Sequence, residues 1–323
     1  MGRILQEMSG DLLLRLEDLD YLVRSAPYRY KVYQIAKRQP EKMRTIAQPA
    51  RAVKRLQYWV IVNILRSYPI HPAALAYRKG KSILNNAKAH AKKRYLLKLD
   101  FTDFFHSIKA DDFRNFIKAH DPREVDDSDL EYLIRILFWR KTRGGDLILS
   151  IGAPSSPMLS NILLYEFDQR VAEYCKPIGV TYTRYADDLT FSTNRKNMLG
   201  DVEKKIDEMC SKLPYPRLRL NREKRVHASK ATLRRVTGLV LSNDGSVSLG
   251  QQRKRHIHAA VHHFKHGKLT TEETKRVAGM LAFVHAVEPK FLGSLARKYG
   301  KTVIERLLGV NQPPDKGPAS LGS

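Results

Sequence analysis

Two stretches of the chain carry acids in positions suited to phosphoryl chemistry. In Tyr182-Thr183-Arg184-Tyr185-Ala186-Asp187-Asp188-Leu189-Thr190-Phe191, two adjacent carboxylates sit where one alternating strand ends and another begins. Side chains one residue apart diverge along a regular strand, so adjacent acids converge on one cation only where a tight turn intervenes. Taken alone, the same string also describes a solvated hairpin tip. The second stretch, Leu96-Leu97-Lys98-Leu99-Asp100-Phe101-Thr102-Asp103-Phe104-Phe105, delivers an acid at the carboxyl end of a buried-looking strand. On neighbouring strand ends, Asp100, Asp187 and Asp188 would bind two Mg²⁺ ions and meet the needs of in-line nucleotidyl transfer. One cation activates a 3′-hydroxyl, and the other holds a triphosphate and the leaving pyrophosphate. Mg²⁺ takes few protein carboxylates and completes its shell with phosphate oxygens, which matches so small a set. Mn²⁺ is the expected substitute.

The elements that must position these acids are read from periodicity. Residues 4–24 form an amphipathic helix with Leu12, Leu16, Leu19 and Val23 on one face. Arg29 to Ile35 and Met43 to Ala47 alternate as basic strands, the second stopped by Pro49. Helices are expected at residues 51–66, 111–119, 128–139, 157–175 and about 199–212, and strands at 95–99, 180–185 and 189–193. Asp121 to Asp129 is dense in acids without glycine and reads as a solvated loop rather than a cation site. Beyond Val236 a short hairpin turns at Asn243-Asp244-Gly245, and basic helices run to about residue 309. Residues 311–323, rich in Pro, Gly and Ser, read as a disordered tail.

Composition narrows the partner. The 323 residues are 42% hydrophobic, enough for a substantial core, and 58 Lys plus Arg against 33 Asp plus Glu give a net charge of +25. Such an excess fits a polyanion, because cationic side chains that neutralise phosphates release condensed counterions. Charge alone fits a solvated basic surface equally well. Cys175 and Cys210 have no ligand-like spacing, so no disulfide framework or cysteine zinc site is readable, and a reducing cytoplasm fits. The first twenty residues mix Arg3, Glu7, Asp11, Arg15, Glu17 and Asp18 with leucines, unlike a signal or transit peptide. No apolar run is long enough for a membrane span, and no membrane partner is expected.

The two acidic stretches resemble motifs A and C of the reverse transcriptase family. Between them Gly152-Ala153-Pro154-Ser155-Ser156-Pro157-Met158-Leu159-Ser160-Asn161 resembles motif B, and after them Leu220-Asn221-Arg222-Glu223-Lys224 resembles motif D. The resemblance implies an α+β right-hand polymerase with fingers, an antiparallel palm sheet and a helical thumb. It divides the chain into fingers at 1–94, palm at 95–235 with an inserted fingers segment at about 111–150, thumb at 236–310 and the tail at 311–323. It makes Asp100, Asp187 and Asp188 the catalytic set, with the Phe101 backbone carbonyl beside them on the metal. Arg44, Lys54, Asp103, Phe105, Gly152 and Lys224 become the implied nucleotide contacts. Within that set, Lys224 assists pyrophosphate departure as a general acid, and Phe105 stands at the steric gate that selects deoxynucleotides. Arg44 and Lys54 fit a backbone-phosphate or surface role as well, and Phe105 fits a core position beside Phe104. Ile151 stands where the family usually has a glutamine, so the template contact of that side chain is not expected here.

Two further strings resemble retron reverse transcriptases. Asn86-Ala87-Lys88-Ala89-His90 matches their NAxxH element and Val236-Thr237-Gly238 their VTG element. Asn86 and His90 lie four apart on one helix face, where they could contact RNA. The resemblance implies synthesis from a guanosine 2′-hydroxyl of a structured noncoding RNA (msr-msd), giving branched RNA–DNA (msDNA) in bacterial antiphage defence with a separate effector protein. A chain of this length is expected to work as a bare polymerase on deoxynucleoside triphosphates (dNTPs). The alternatives are a group II intron-like or diversity-generating reverse transcriptase and, from another class, a catalytically silent RNA-binding subunit. On residues 251–268, Ile257, Val261 and Phe264 form a buried stripe, while Arg253, Lys254 and Arg255 are expected on nucleic-acid backbone. His258, His262 and His266 repeat every four residues, a spacing open to zinc, but without a neighbouring acid or cysteine the basic RNA-binding helix is the reading.

Overall fold

A computed structural model describes residues 2–36, 43–120 and 125–310. Two compact units are distinguished: residues up to Ser82 with Arg94–Ala228, and Ile83–Lys93 with the residues from Ser229 onward. The expected tail at 311–323 lies outside the described residues.

The first unit is built around a four-stranded sheet in the order Thr181–Tyr185, Asp188–Thr193, Tyr95–Asp100, Val226–Ser229, the first three pairing antiparallel. The two central strands pair from Tyr95↔Thr193 to Asp100↔Asp188. Leu97, Leu99, Leu189 and Phe191 are buried and join a core with Phe113, Leu159, Phe167 and Val202 from the surrounding helices. Because one face of the sheet is sealed by this core, a one-residue slip would expose the whole apolar set, and the register is fixed. A separate antiparallel pair, Tyr30–Ala36 with Met43–Pro49, runs in register from Tyr30↔Pro49 to Ala36↔Met43.

Three expectations from periodicity are revised in this unit. Residues 4–24 form two helices, Arg3–Leu12 and Leu16–Ser25, because Leu13 adopts a left-handed conformation (φ 51°). The amides of Leu13 and Leu14 close that end on the carbonyls of Gly10 and Ser9, satisfying C-terminal acceptors. Residues 157–175 likewise form Ser156–Leu163 and Tyr165–Cys175, bent at Leu164, and the apolar period continues across the bend. In the acidic stretch, residues 121–124 lie outside the described residues, but Asp126 caps the helix Asp127–Leu137 by accepting from the Asp129 amide at 2.8 Å. Asp129 is buried and accepts from the Ile4 amide at 3.0 Å, an orphan donor at the start of the first helix. Those acids serve helix ends rather than bulk water.

In the second unit the helix Ile83–Ala91 packs on the strand Leu239–Leu241, the centre of a small sheet with Arg235–Val236 and Val247–Ser248. Thr237 and Gly238 both have positive φ (45° and 83°), and the register Val236↔Leu239 makes them a two-residue hairpin turn. The turn at Asn243-Asp244-Gly245 forms as expected, with Gly245 at φ 84° and its amide on the Ser242 carbonyl. Four helices follow: Gln251–Lys265, Thr271–Val287, Pro289–Tyr299 and Lys301–Gly309.

Candidate active site

The turn between Tyr185 and Asp188 has two central residues, Ala186 and Asp187, with Tyr185 and Asp188 in register. Ala186 has φ 58°, a left-handed position that costs an L-residue about 1–2 kcal/mol and usually goes to glycine. The chain enters and leaves this turn along the sheet, so Asp187 stands at the tip and Asp188 begins the returning strand. Asp100 is the Cα partner of Asp188, and the next amide, Phe101 N–H, donates to the Asp187 carbonyl at 3.1 Å. Backbone pairing alone therefore brings the three acids, from stretches 87 positions apart (187 − 100), to one sheet end.

Burial and mutual repulsion mark the cluster electrostatically. Asp187 is raised to about 6, first by burial, then by the charges of Asp100 and Asp188. Asp188 is also raised, again by burial first, with Lys98 opposing. Lys98 Nζ lies 4.0 Å from Asp188 Oδ1, and Lys224 Nζ lies 2.6 Å from Asp100 Oδ1. Lys224 reaches Asp100 because the Asn221 amide donates to the Asp100 carbonyl at 2.7 Å and the short helix Arg222–Lys224 follows at once.

Among the described residues, no group of three or more His, Cys, Asp or Glu already stands at metal-holding spacing. The chemistry of the donors nevertheless fits a hard divalent cation. All are oxygens, the acids repel one another, and the Lys224 ammonium already meets one of them. Asp100, Asp187, Asp188 and the Phe101 carbonyl are the residues that would hold it, with substrate phosphates completing the shell.

The other expected nucleotide contacts lie in the same unit. Asp103 is left-handed (φ 51°) and exposed, its carboxylate 3.9 Å from His106 Nδ1. Phe105 is half-buried, its ring 5.4 Å from that of Phe104, so it belongs partly to the core and partly to the surface. Gly152 has φ 131°, and a Cβ there would stand 2.9 Å from the Ala47 carbonyl oxygen. The Ala47 amide donates to the Ile151 carbonyl at 2.9 Å, so the loop lies directly on the strand that carries Arg44. Arg44 is exposed on Met43–Pro49, and Lys54 is half-buried on the helix Arg51–Asn63. Tyr77, not singled out by sequence, has φ 60° and is raised by burial and then by Asp187 and Tyr185, with Arg44 opposing. It feels the charges of both Arg44 and the acidic turn, and nothing in its sequence neighbourhood signals that. Arg184, Asp168 and Asn161 were also missed, although Arg184 shares strand parity with the buried Tyr182.

The expected RNA contacts lie in the second unit. Asn86 and His90 do share a helix face, but both are fully buried, together with Ala87. Their helix packs against the small sheet, and burial pushes His90 down to about 3. Val236 is buried as well, while Thr237 donates from Oγ1 to the Ile83 carbonyl at 3.2 Å, tying the VTG turn to the NAxxH helix. Gly238 supplies the second positive φ of that turn. Lys254 is engaged internally, 2.5 Å from Glu288 and 5.1 Å over the Phe291 ring. Arg253 and Arg255 are exposed, Arg253 lying 5.5 Å over Phe283. Ile257 and Val261 form the buried stripe, with Phe264 at its margin.

Comparison with known proteins agrees with this geometry. Residues 35–293 match the family described as reverse transcriptase (RNA-dependent DNA polymerase). The chain is 40% identical over 293 residues to the Retron Ec83 reverse transcriptase of Escherichia coli, covering 90% of this chain and 93% of that one. It is 34% identical over 310 residues to the Retron Ec86 reverse transcriptase of the same organism, covering 94% and 92%. Among solved structures it is similar to an apo telomerase from Candida tropicalis truncated from its C-terminal domain, with TM-score 0.45, 13% identity, and 69% and 55% covered. The α+β, right-hand polymerase class expected from the motifs is that of the matched family. An antiparallel sheet that gathers three acids at one end, in a chain matching this family along most of its length, is an RNA-directed DNA polymerase, and the chain belongs to the reverse transcriptase family as one of its retron members.

Proposed function

We propose that the chain copies part of a structured noncoding RNA into DNA, starting at a guanosine 2′-hydroxyl and leaving a branched RNA–DNA product. The observation that carries the catalytic part is the register that sets Asp100 against Asp188 beside the Asp187 turn. Two divalent cations, Mg²⁺ by preference, supply activation of the attacking hydroxyl and neutralisation of the leaving pyrophosphate when bound. The chain's own residues do the rest. Asp100, Asp187 and Asp188 hold the cations, and Lys224, poised 2.6 Å from Asp100, donates a proton or charge to the departing pyrophosphate. Arg44 and Lys54 hold the triphosphate, with Asp103 and Gly152 bounding the nucleotide and Phe105 excluding a ribose 2′-hydroxyl. The +25 charge supports an RNA and a DNA partner, with Arg253 and Arg255 among the side chains available to phosphates.

The retron reverse transcriptases to which the chain is similar support the retron reading; with it we propose a cognate RNA as template and primer, a bacterial cytoplasmic setting, a role in antiphage defence and a separate effector protein. No helix among the described residues is long and apolar enough to cross a membrane. Fingers at 1–94, palm at 95–235 with its insertion at about 111–150, and thumb at 236–310 remain the proposed functional division. The test is incubation of purified protein with its co-purifying RNA, Mg²⁺ and labelled dNTPs. A DNA product joined to RNA by a 2′–5′ bond is expected. DNA carrying only a conventional 3′-primed junction would refute branched priming, and no incorporation with either Mg²⁺ or Mn²⁺ would refute the polymerase assignment.

A further inference from the structure

Behind the acidic turn lies a fully buried polar network that polymerase chemistry does not itself require. Arg184 and Asp168 both have no exposed side-chain surface. Arg184 Nε donates to Asp168 Oδ1 and Oδ2 at 2.8 and 3.1 Å, and Nη2 donates to Oδ2 at 2.6 Å. The remaining arm, Nη1, donates to Asn161 Oδ1 at 3.1 Å and to the Ala186 carbonyl at 3.2 Å. Asp168 also accepts from the Tyr182 hydroxyl at 2.7 Å, and Asn161 Nδ2 donates to the Ala76 carbonyl at 2.9 Å. The Arg184 backbone is itself pinned, its amide on the Ala73 carbonyl and its carbonyl under the Leu75 amide, each at 2.8 Å.

Stability does not explain such a network. Taking an arginine and an aspartate out of water costs several kcal/mol per ion, and a packed apolar pair of the same volume is often as stable or more so. What the ions supply is geometry. A guanidinium is a rigid planar fork, so fixing two of its arms on Asp168 fixes the direction of the third. That third arm ends on the carbonyl of Ala186, the strained left-handed residue of the turn, whose carbonyl belongs to the peptide bond that leads into Asp187.

We propose that Arg184 is a positioning residue for Asp187: held by Asp168 and Asn161, it sets the plane of the Ala186–Asp187 peptide and hence the direction of the Asp187 carboxylate. The inference rests on the reading of Asp187 as a cation-holding acid. It also couples the turn to the helix that follows the Gly152 loop, since Asn161 lies on Ser156–Leu163. Arginine is needed rather than lysine, because one ammonium cannot hold Asp168 bidentately and still reach the Ala186 carbonyl.

The experiment compares Arg184→Lys, the charge-free double variant Arg184→Met with Asp168→Leu, Asp187→Asn and the parent protein. Four quantities are read: melting temperature, RNA affinity, Tb³⁺ luminescence as a probe of the carboxylates, and kcat and KM for a dNTP on a primed RNA template. In whichever Arg184 variant folds, kcat falls by about 100-fold, the cost of roughly 1 Å of misplacement. Tb³⁺ half-saturation rises severalfold in the same variant, while RNA affinity and KM stay near the parent values. A folded Arg184→Lys or double variant with parental kcat and Tb³⁺ half-saturation overturns the proposal, whatever its melting temperature, because a purely structural role moves only that temperature. Asp187→Asn separates the two levels. If it turns over like the parent, the reading of the site fails and this inference with it. If it is inactive while the Arg184 variants match the parent, only this inference fails.

Discussion

Lys224 Nζ stands 2.6 Å from Asp100 Oδ1, so the buried acid at the end of its strand meets a protein ammonium. More than half of the Lys224 side chain is exposed, whereas Asp100 is almost fully buried, so the lysine is the partner that can leave. Replacing Lys224 by Met is therefore expected to do two separable things. Without divalent cations it leaves Asp100 facing Asp187 and Asp188 with less compensation, so the melting temperature falls and Mg²⁺ restores more of it than in the parent. With cations present, kcat drops on the order of 100-fold, the usual scale of a lost general acid, while KM for dNTP moves little. Calorimetry with and without Mg²⁺ reads the first effect and single-turnover incorporation the second. Parental kcat in the variant would leave Lys224 as an electrostatic partner of Asp100 with no part in the chemical step.

The acids were legible in sequence because strand-end position and turn chemistry are local properties. The run Leu96–Leu99 and the alternation around Ala186-Asp187-Asp188 each announce their own strand, and only the register had to come from the fold. The breaks at Leu13 and Leu164 were not legible. Helical periodicity reports which side is buried, and that side continues across both breaks. Asn86 and His90 show the converse limit. Their spacing gives a shared face but not whether it looks outward, and in the fold that face is buried against the small sheet. The network of Arg184, Asp168 and Asn161 was invisible because its members lie 7 and 16 positions apart (168 − 161 and 184 − 168) and meet only after the sheet and two helices have packed.

Phe105 is half-buried, its ring packed partly against the core beside Phe104. Its neighbour Phe104 is buried and stacks on Phe101 at 5.6 Å, which anchors the pair without needing Phe105. Phe105→Ala should therefore fold, and its effect should fall on sugar selection. Discrimination between deoxynucleotides and ribonucleotides is expected to drop by about 10- to 100-fold in the ratio of kcat/KM, the range that apolar contacts to a small group can provide. Competition between dATP and ATP on one template reads it. An unchanged ratio in folded protein would leave Phe105 as core alone.

Gly152 has two independent reasons to be glycine. Its φ of 131° is one L-residues rarely adopt, and a Cβ would meet the Ala47 carbonyl oxygen at 2.9 Å and Ile46 Cγ2 at 3.2 Å. The obstruction is backbone that is itself held by the Ala47 amide on Ile151, so it cannot swing aside as a flexible side chain would. Gly152→Ala is expected to destabilise by about 1–3 kcal/mol from conformation alone. Because the displaced strand carries Arg44, KM for dNTP should rise together with the loss of stability. Urea unfolding and dNTP titration check the pair of effects, and a rise in neither would mean that loop and strand separate freely.

His90 sets a pH dependence in the second unit. It is fully buried on Ile83–Ala91, and burial, with a smaller contribution from Lys93, pushes it from 6.5 down to about 3. Between those values the unfolded chain binds a proton at this residue and the folded chain does not. Stability is thus fully present above pH 6.5, falls as the pH drops below it, and stops falling once the folded histidine also protonates near pH 3. The slope attributable to one such group is at most about 1.4 kcal/mol per pH unit. Many carboxylates titrate in the lower part of this range, so the measurement is a difference. Unfolding free energies of the parent and of His90→Gln are compared from pH 7 to pH 4.5. The parent should lose stability more steeply, with the two curves diverging first just below pH 6.5, where carboxylates contribute least. Parallel curves would mean that His90 is reached by protons in the folded protein, and that the helix face it shares with Asn86 opens to solvent.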